Sequence, residues 1–245
     1  MRHGESAGNV ARDLAYAAGD IEIDIDIRDV EVPLSALGQE QSRALGHWFA
    51  GLPPADRPDV VLTSPYLRAV QTAEIVKSEN GLAPAISKFI VDERLREREF
   101  GILDRLTRLG IEQRHAEQAG FRSLLGKFYH RPPGGESWCD VILRLRSALD
   151  TISLHYGGKR VLLVGHEVVV LCLRYLLEDL DEKAILAVDA QGDVANCGVT
   201  QYEFCPEPGG SGRLVLNRYN FVAPLQQEGA LVTTAPDVKR SVRES

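Results

Sequence analysis

The chain has 245 residues, of which 44% are hydrophobic and 26% charged, with a formal net charge of −7. Such a composition suits a globular protein with ample core material, and it excludes binding of nucleic acid or membranes by bulk electrostatics. The four cysteines, Cys139, Cys172, Cys197 and Cys205, show no CxxC spacing, so buried thiols are expected rather than a metal or disulfide framework.

The chain opens on Met1-Arg2-His3-Gly4-Glu5-Ser6, followed by Asn9. Residues 10 to 34 read as polar and irregular. The alternation from Ile21 to Ile27 fits a short strand or an exposed acidic loop equally well. A helix opens after Leu34, with Leu37, Ala44, Leu45, Trp48, Phe49 and Leu52 on one apolar face, and Gly51 with Pro53-Pro54 stops it. Asp59 to Thr63 is a β-branched strand, after which Ser64-Pro65 offers an N-cap and a first-turn proline for a helix from Tyr66 to Ser78. Lys88 to Val91 is a second strand, running into the charged segment Asp92 to Gly101.

Residues 104 to 133 read as an insertion, helical to about 128 and then a loop at His130-Arg131-Pro132-Pro133. A long helix starts near Ser137, where Asp140 completes a capping-box-like pair, and Trp138, Val141, Ile142, Leu145, Ala148, Leu149 and Ile152 form its buried stripe. Arg160 to Val164 is an apolar strand of the kind covered on both faces. Gly165-His166 ends it, and a helix over 167–177 follows. A hairpin, 198–204 and 213–217 around a Pro/Gly/Ser loop, closes the body.

Alternating strands and helices predict a three-layer α/β/α sandwich with a mostly parallel sheet, whose ligand lies beyond the carboxyl ends of the strands. His166 and the Thr63–Arg68 segment both fall at such ends. The expected organisation is a single domain over 1–227 and a mobile tail over 228–245. No apolar run approaches the roughly 20 residues that span a bilayer. With no signal-peptide pattern, the expected location is cytoplasmic.

Arginine offers a permanent fork that fits phosphate bidentately, and histidine is a side chain that can be a neutral nucleophile near pH 7. His3 attacking phosphorus, Arg2, Arg68 and, if protonated, His166 holding it, and an acid from the Glu93–Glu99 segment would together supply phosphoryl transfer. Such chemistry needs no metal or cofactor.

Arg2-His3-Gly4-Glu5-Ser6 with Asn9 resembles the signature of the histidine phosphatase superfamily, the phosphoglycerate mutase-like proteins. Further motifs follow in the family's order: Leu34 to Gln39, Thr63 to Ala73, Leu95 to Gly101, Gly134 to Ser137, Val164 to Glu167 and Asn196 to Thr200. The resemblance covers about residues 1 to 204. It implies His3 as nucleophile, Arg2, Arg68 and His166 around the phosphate, Asn9 lining the pocket, and Glu97 as proton donor, with Glu93 and Glu99 as alternatives. The family carries a β-strand immediately before the Arg-His-Gly motif, whereas here only Met1 precedes it. The expectation is a sheet lacking its first strand, from a start codon placed too far downstream.

The resemblance implies a metal-independent phosphatase of a small phosphorylated substrate. The rivals are a phosphoglycerate mutase and a non-catalytic phosphate-binding domain. The family's mutases carry a Thr-Gly pair near Asn9 and adjacent arginines in the insertion; this chain has Val10-Ala11-Arg12-Asp13 and no such pair.

Overall fold

The computed structural model describes residues 1–83, 86, 88–206 and 212–234. Its regular elements are α1 (Ala7–Ala18), α2 (Ala36–Gly51), β1 (Val60–Thr63), α3 (Leu67–Ser78), β2 (Ile90–Val91), α4 (Arg108–Arg114), α5 (Ala116–Tyr129), α6 (Trp138–His155), β3 (Val161–Val164), α7 (Glu167–Leu177), α8 (Glu182–Gln191), β4 (Val199–Pro206), β5 (Gly212–Phe221) and α9 (Ala223–Gln227).

The three strands β2-β1-β3 lie in that order and are parallel. The side chains of β1 and β3 alternate between two cores, as the strand period of two requires. Val61, Leu162 and Val164 face one core with Ala44, Leu45, Ala69 and Ala73 of α2 and α3. Leu62 and Leu163 face the other, with Leu145 of α6 and Val170 and Leu171 of α7. Helices on both faces of a parallel sheet make the three-layer α/β/α sandwich.

Met1–His3 stand in register beside the end of β3. The Met1 amino group donates to Leu163 O (2.7 Å), Gly165 N to Met1 O (3.0 Å), and His3 N to Gly165 O (2.9 Å). On the other side, Arg2 N donates to Gly198 O and Cys197 N to His3 O. Met1, Arg2 and His3 fill a central place between β3 and the start of the β4–β5 hairpin. His3 is therefore gripped by backbone bonds on both sides.

Gly4 and Gly38 explain how α2 reaches the motif. A Cβ on Gly38 would fall 1.9 Å from Glu5 O, and one on Gly4 would fall 2.5 Å from Gly38 O. Only hydrogen at both positions lets the chains cross this closely. Ser35 caps α2 by accepting from Gly38 N and also donates its hydroxyl to Glu5 Oε1 (2.6 Å).

Two local expectations need correction, and one open reading is decided. Residues 10–18, read as irregular, belong to helix α1: Ser6 and Asn9 form a reciprocal capping box, and Gly19 closes the helix in the left-handed region at φ 74°. Ile21–Ile27 is a loop, tied to the insertion by the isolated Glu22–Leu106 bridge. Ser64 is not the N-cap of α3, which begins at Leu67 after Tyr66; its hydroxyl accepts from Tyr66 N, ahead of the helix, and meets His166 Nε2. Of the segment assigned to a tail, Leu231 O accepts from Gln41 Nε2 and Thr233 O from Asn196 N. Residues 235–245 of that tail, and the hairpin loop 207–211, lie outside the described residues. Among the described residues no helix is long and apolar enough to cross a membrane.

Candidate active site

The residues singled out from the sequence converge on one cavity of about 810 Å³ at the carboxyl end of the sheet, roofed by α4 and α5. Arg2, His3, Asn9, Arg68 and Glu97 line it. His166 does not; it is fully buried behind them, its ring centroid 5.1 Å from that of His3 in an edge-on arrangement. Glu93 and Glu99, the alternatives to Glu97, are exposed and off the wall.

His3 is 2% exposed, and its Nδ1 lies 2.6 Å from Gly4 O. A carbonyl only accepts, so Nδ1 carries the proton and Nε2 keeps its lone pair. Arg68 Nε points at that Nε2 from 3.3 Å. Burial first, then the Arg68 and Arg2 charges, hold the imidazole well below its usual pKa, so it is neutral at pH 7.

Arg2 donates to Val194 O and stands 3.2 Å from Glu167 Oε2. Among the described residues its Nε has no hydrogen-bond partner, and neither does His166 Nδ1. These are two buried donors left open in one site. His166 Nε2 lies 2.8 Å from Ser64 Oγ; with the hydroxyl donating to Nε2, the ring proton sits on Nδ1. Nδ1 is 3.4 Å from Glu97 Oε2, outside hydrogen-bond geometry. Burial and then Arg68 depress the His166 pKa well below the usual range. The ring is therefore neutral at pH 7, so the protonated form that the sequence reading made a condition for holding phosphate is disfavoured here.

Glu97 sits on the cavity floor, 19% exposed. Desolvation raises its pKa and nearby Asp29 raises it further, while Arg68, the Arg98 N–H and Arg2 pull it down. The segment is clamped from α6: Arg144 donates to Arg94 O and Glu97 O and pairs with Glu136, which also holds Arg96. Asn9 Oδ1 accepts from Ser6 N, and Asn196 Nδ2 reaches both Asn9 Oδ1 and His3 O.

Several contributors were not identified from sequence. Asp29 grips Arg68, Glu167 faces Arg2, and Ser64 orients His166; each acts through a partner distant in the chain. Glu167 carried a signal, since it follows His166 directly at a helix start. From the loop 130–131, His130 reaches the cavity while Arg131 turns away to Asp140. Among the described residues no three His, Cys, Asp or Glu side chains are grouped to hold a metal. What the site can do is bind a small oxyanion against a neutral imidazole nucleophile, with a carboxylic acid alongside.

The profile of the Histidine phosphatase superfamily (branch 1) matches residues 1–213. A Yersinia enterocolitica protein named Probable phosphoglycerate mutase GpmB is 29% identical over 210 residues, covering 85% of each chain. Bifunctional protein Rv2228c of Mycobacterium tuberculosis is 33% identical over 155 residues, which are 63% of this chain and 40% of that protein. Among solved structures, mycobacterial glucosyl-3-phosphoglycerate phosphatase Rv2419c with inorganic phosphate is 25% identical with a TM-score of 0.66, covering 91% of this chain and 96% of that one. Bacillus stearothermophilus YhfR is likewise 25% identical with a TM-score of 0.66, over 89% of this chain and 94% of its own. The chain belongs to the histidine phosphatase superfamily.

Proposed function

We propose that this protein is a metal-independent phosphatase that hydrolyses a small phosphomonoester through a phosphohistidine on His3. The observation that carries the reading is the His3 geometry: Nδ1–H fixed on Gly4 O, leaving a neutral, unprotonated Nε2 beside the Arg68 guanidinium. Arg68 and Arg2 neutralise the phosphoryl oxygens, and the open Arg2 Nε and His166 Nδ1 are donors that such an anion would satisfy. Asn9 lines the same wall.

In the first step His3 Nε2 attacks phosphorus as Glu97, protonated, gives its proton to the departing alkoxide. The P–O ester bond breaks as the N–P bond forms. In the second step water, losing its proton to the Glu97 carboxylate, displaces His3 and releases inorganic phosphate.

A related mutase reading draws on the GpmB name; there a second hydroxyl, rather than water, would take the phosphoryl group. The test is incubation with p-nitrophenyl phosphate and with a panel of phosphorylated metabolites, following inorganic phosphate and acid-labile phosphoprotein. Release of phosphate with a burst of phosphoprotein, both lost in His3→Ala, is expected. Undiminished hydrolysis by His3→Ala would sink the mechanism, and a rearranged phosphoester without free phosphate would favour the mutase.

A further inference from the structure

Arg68 offers two edges to its surroundings, and both are occupied. The end-on edge is taken by Asp29: Nη1 donates to Asp29 O (2.7 Å) and Oδ1 (2.9 Å), and Nη2 to Oδ2 (3.2 Å). The side-on edge, Nε with the remaining Nη2 proton, faces His3, with Nε 3.3 Å from the imidazole Nε2. We infer that Asp29 is a positioning residue, which holds Arg68 by its end-on edge so that the side-on edge is presented to the oxygens of a phosphoryl group at His3 Nε2. The inference rests on the phosphatase reading of the site.

A guanidinium is planar, with five donors in a rigid fork, so fixing one edge fixes the direction of the other. An arginine held only by its flexible stem would have to order its rotamers on binding, a cost that a pre-set fork avoids. Arg68 is also stacked 4.8 Å over the Tyr66 ring, which fixes its plane but not its rotation within that plane. The Asp29 fork supplies the missing constraint.

Asp29 sits in a short 3-10 turn, Asp29–Glu31, at the end of the loop that follows α1. That loop is sewn to the insertion: Ile23 N donates to Arg105 O, Thr107 N to Ile21 O, and Arg105 Nη2 to Ile27 O. The charged and titratable groups around Asp29 are Arg68, Tyr66, Glu97 and Asp104, and its charge raises the last three. The same carboxylate that aims Arg68 therefore favours the protonated form of Glu97, which the first step needs. Around Glu97 itself the other charges are Arg68, Arg2 and His166, with the Arg98 N–H on its carboxylate.

The test compares Asp29→Ala and Asp29→Asn with the intact chain. Asn keeps the backbone contact and one side-chain acceptor but loses the charge; Ala loses both side-chain acceptors. The Asp29 side chain is 45% exposed, so both variants should fold, and urea unfolding checks this.

In Asp29→Ala the Arg68 Nε–H signal, slow to exchange in the ligand-free protein, is expected to vanish from nitrogen-15 spectra. Inorganic phosphate should bind more weakly, and kcat/KM with p-nitrophenyl phosphate should fall by about 10²-fold, the scale of a misplaced catalytic group. Asp29→Asn should lie between Ala and the intact chain in all three, with the high-pH limb of its kcat profile displaced to lower pH.

Tighter phosphate binding in Asp29→Ala would overturn the inference, because Asp29 would then compete with the substrate for Arg68. A kcat/KM and Nε–H signal unchanged in both variants would overturn it as well. If the intact chain binds inorganic phosphate but turns over no ester, the phosphatase reading fails, while the Nε–H signal and phosphate affinity still decide the role of Asp29.

Discussion

Glu167 Oε2 stands 3.2 Å from Arg2 Nη1, while Glu167 Oε1 accepts from Val194 N, so a carboxyl group shares the cavity wall with Arg2. Desolvation pushes this carboxyl up to about 7, against the pull of Arg2. A carboxyl raised in the folded state favours folding while protonated, and that contribution is lost as pH rises through the folded value. Stability should therefore decline by up to about 1.4 kcal/mol per pH unit between the ordinary carboxyl range and pH 7. Glu167→Gln should flatten that decline in urea unfolding measured from pH 5 to 8. A variant with the same slope as the original chain would show that Glu167 is not the group responsible.

Ser64 and His166 give a second expectation. Removing the hydroxyl in Ser64→Ala leaves His166 Nε2 buried without its 2.8 Å partner, a loss worth about 1–3 kcal/mol. The ring then has no reason to keep its proton on Nδ1. Histidine nitrogen shifts should report a mixed tautomer, and kcat should fall more than KM changes. An unaltered His166 tautomer in the variant would remove Ser64 from the account.

What was legible in the sequence was what is local. Asp59 to Thr63, Arg160 to Val164 and the Ser137–Asp140 capping pair carry their structure in adjacent residues, and the strand ends place Arg68 and His166 at one edge of the sheet. Helix α1 was passed over although Ala7, Val10, Ala11, Leu14, Ala15 and Ala18 recur at helical spacing; in the fold only Ala15 of that stripe is buried, and Val10 and Leu14 stay exposed. Its other signals were the caps, Ser6 with Asn9 and Gly19. Asp29, in a stretch of like-charged neighbours, gave no sign of its role: it meets Arg68 only when a loop and α3 are folded together. The neutral state of His166 was equally unreadable, since burial decides it.

On the proposed mechanism, Glu97 and His3 together set a pH window for turnover. The nucleophile must be neutral, and burial with two arginines holds His3 well below 6.5, so activity should persist below the ordinary imidazole range. The acid must be protonated, and its raised pKa extends activity above the ordinary carboxyl range before it falls. Glu97→Gln cannot protonate a leaving group. It should slow alkyl phosphates by about 10²–10⁴-fold, the usual worth of general acid catalysis, while p-nitrophenolate, a good leaving group, suffers far less. Equal losses on both substrates would point to misfolding of the loop rather than a lost acid.

The crossing of Gly38 over the motif is the most sharply testable feature of the scaffold. A methyl group there would meet Glu5 O at 1.9 Å, and the obstacle is backbone, so no side-chain rotation relieves it. Gly38→Ala must push α2 away from Glu5 and strain the hydrogen bonds that hold the motif, from Glu5 N to Gln41 Oε1 and from Gly4 N to Thr72 Oγ1. Overpacking of this kind costs about 1–3 kcal/mol, and the loss should appear in urea unfolding together with reduced turnover, because His3 is one residue from the displaced segment. Gly120, inside α5, is the matching control. A Cβ there meets nothing within 4 Å, so Gly120→Ala should stabilise by about 0.5–1 kcal/mol through helix propensity alone. If both alanines raised stability, the close approach of α2 to the motif would be wrong, and with it the account of how His3 is held.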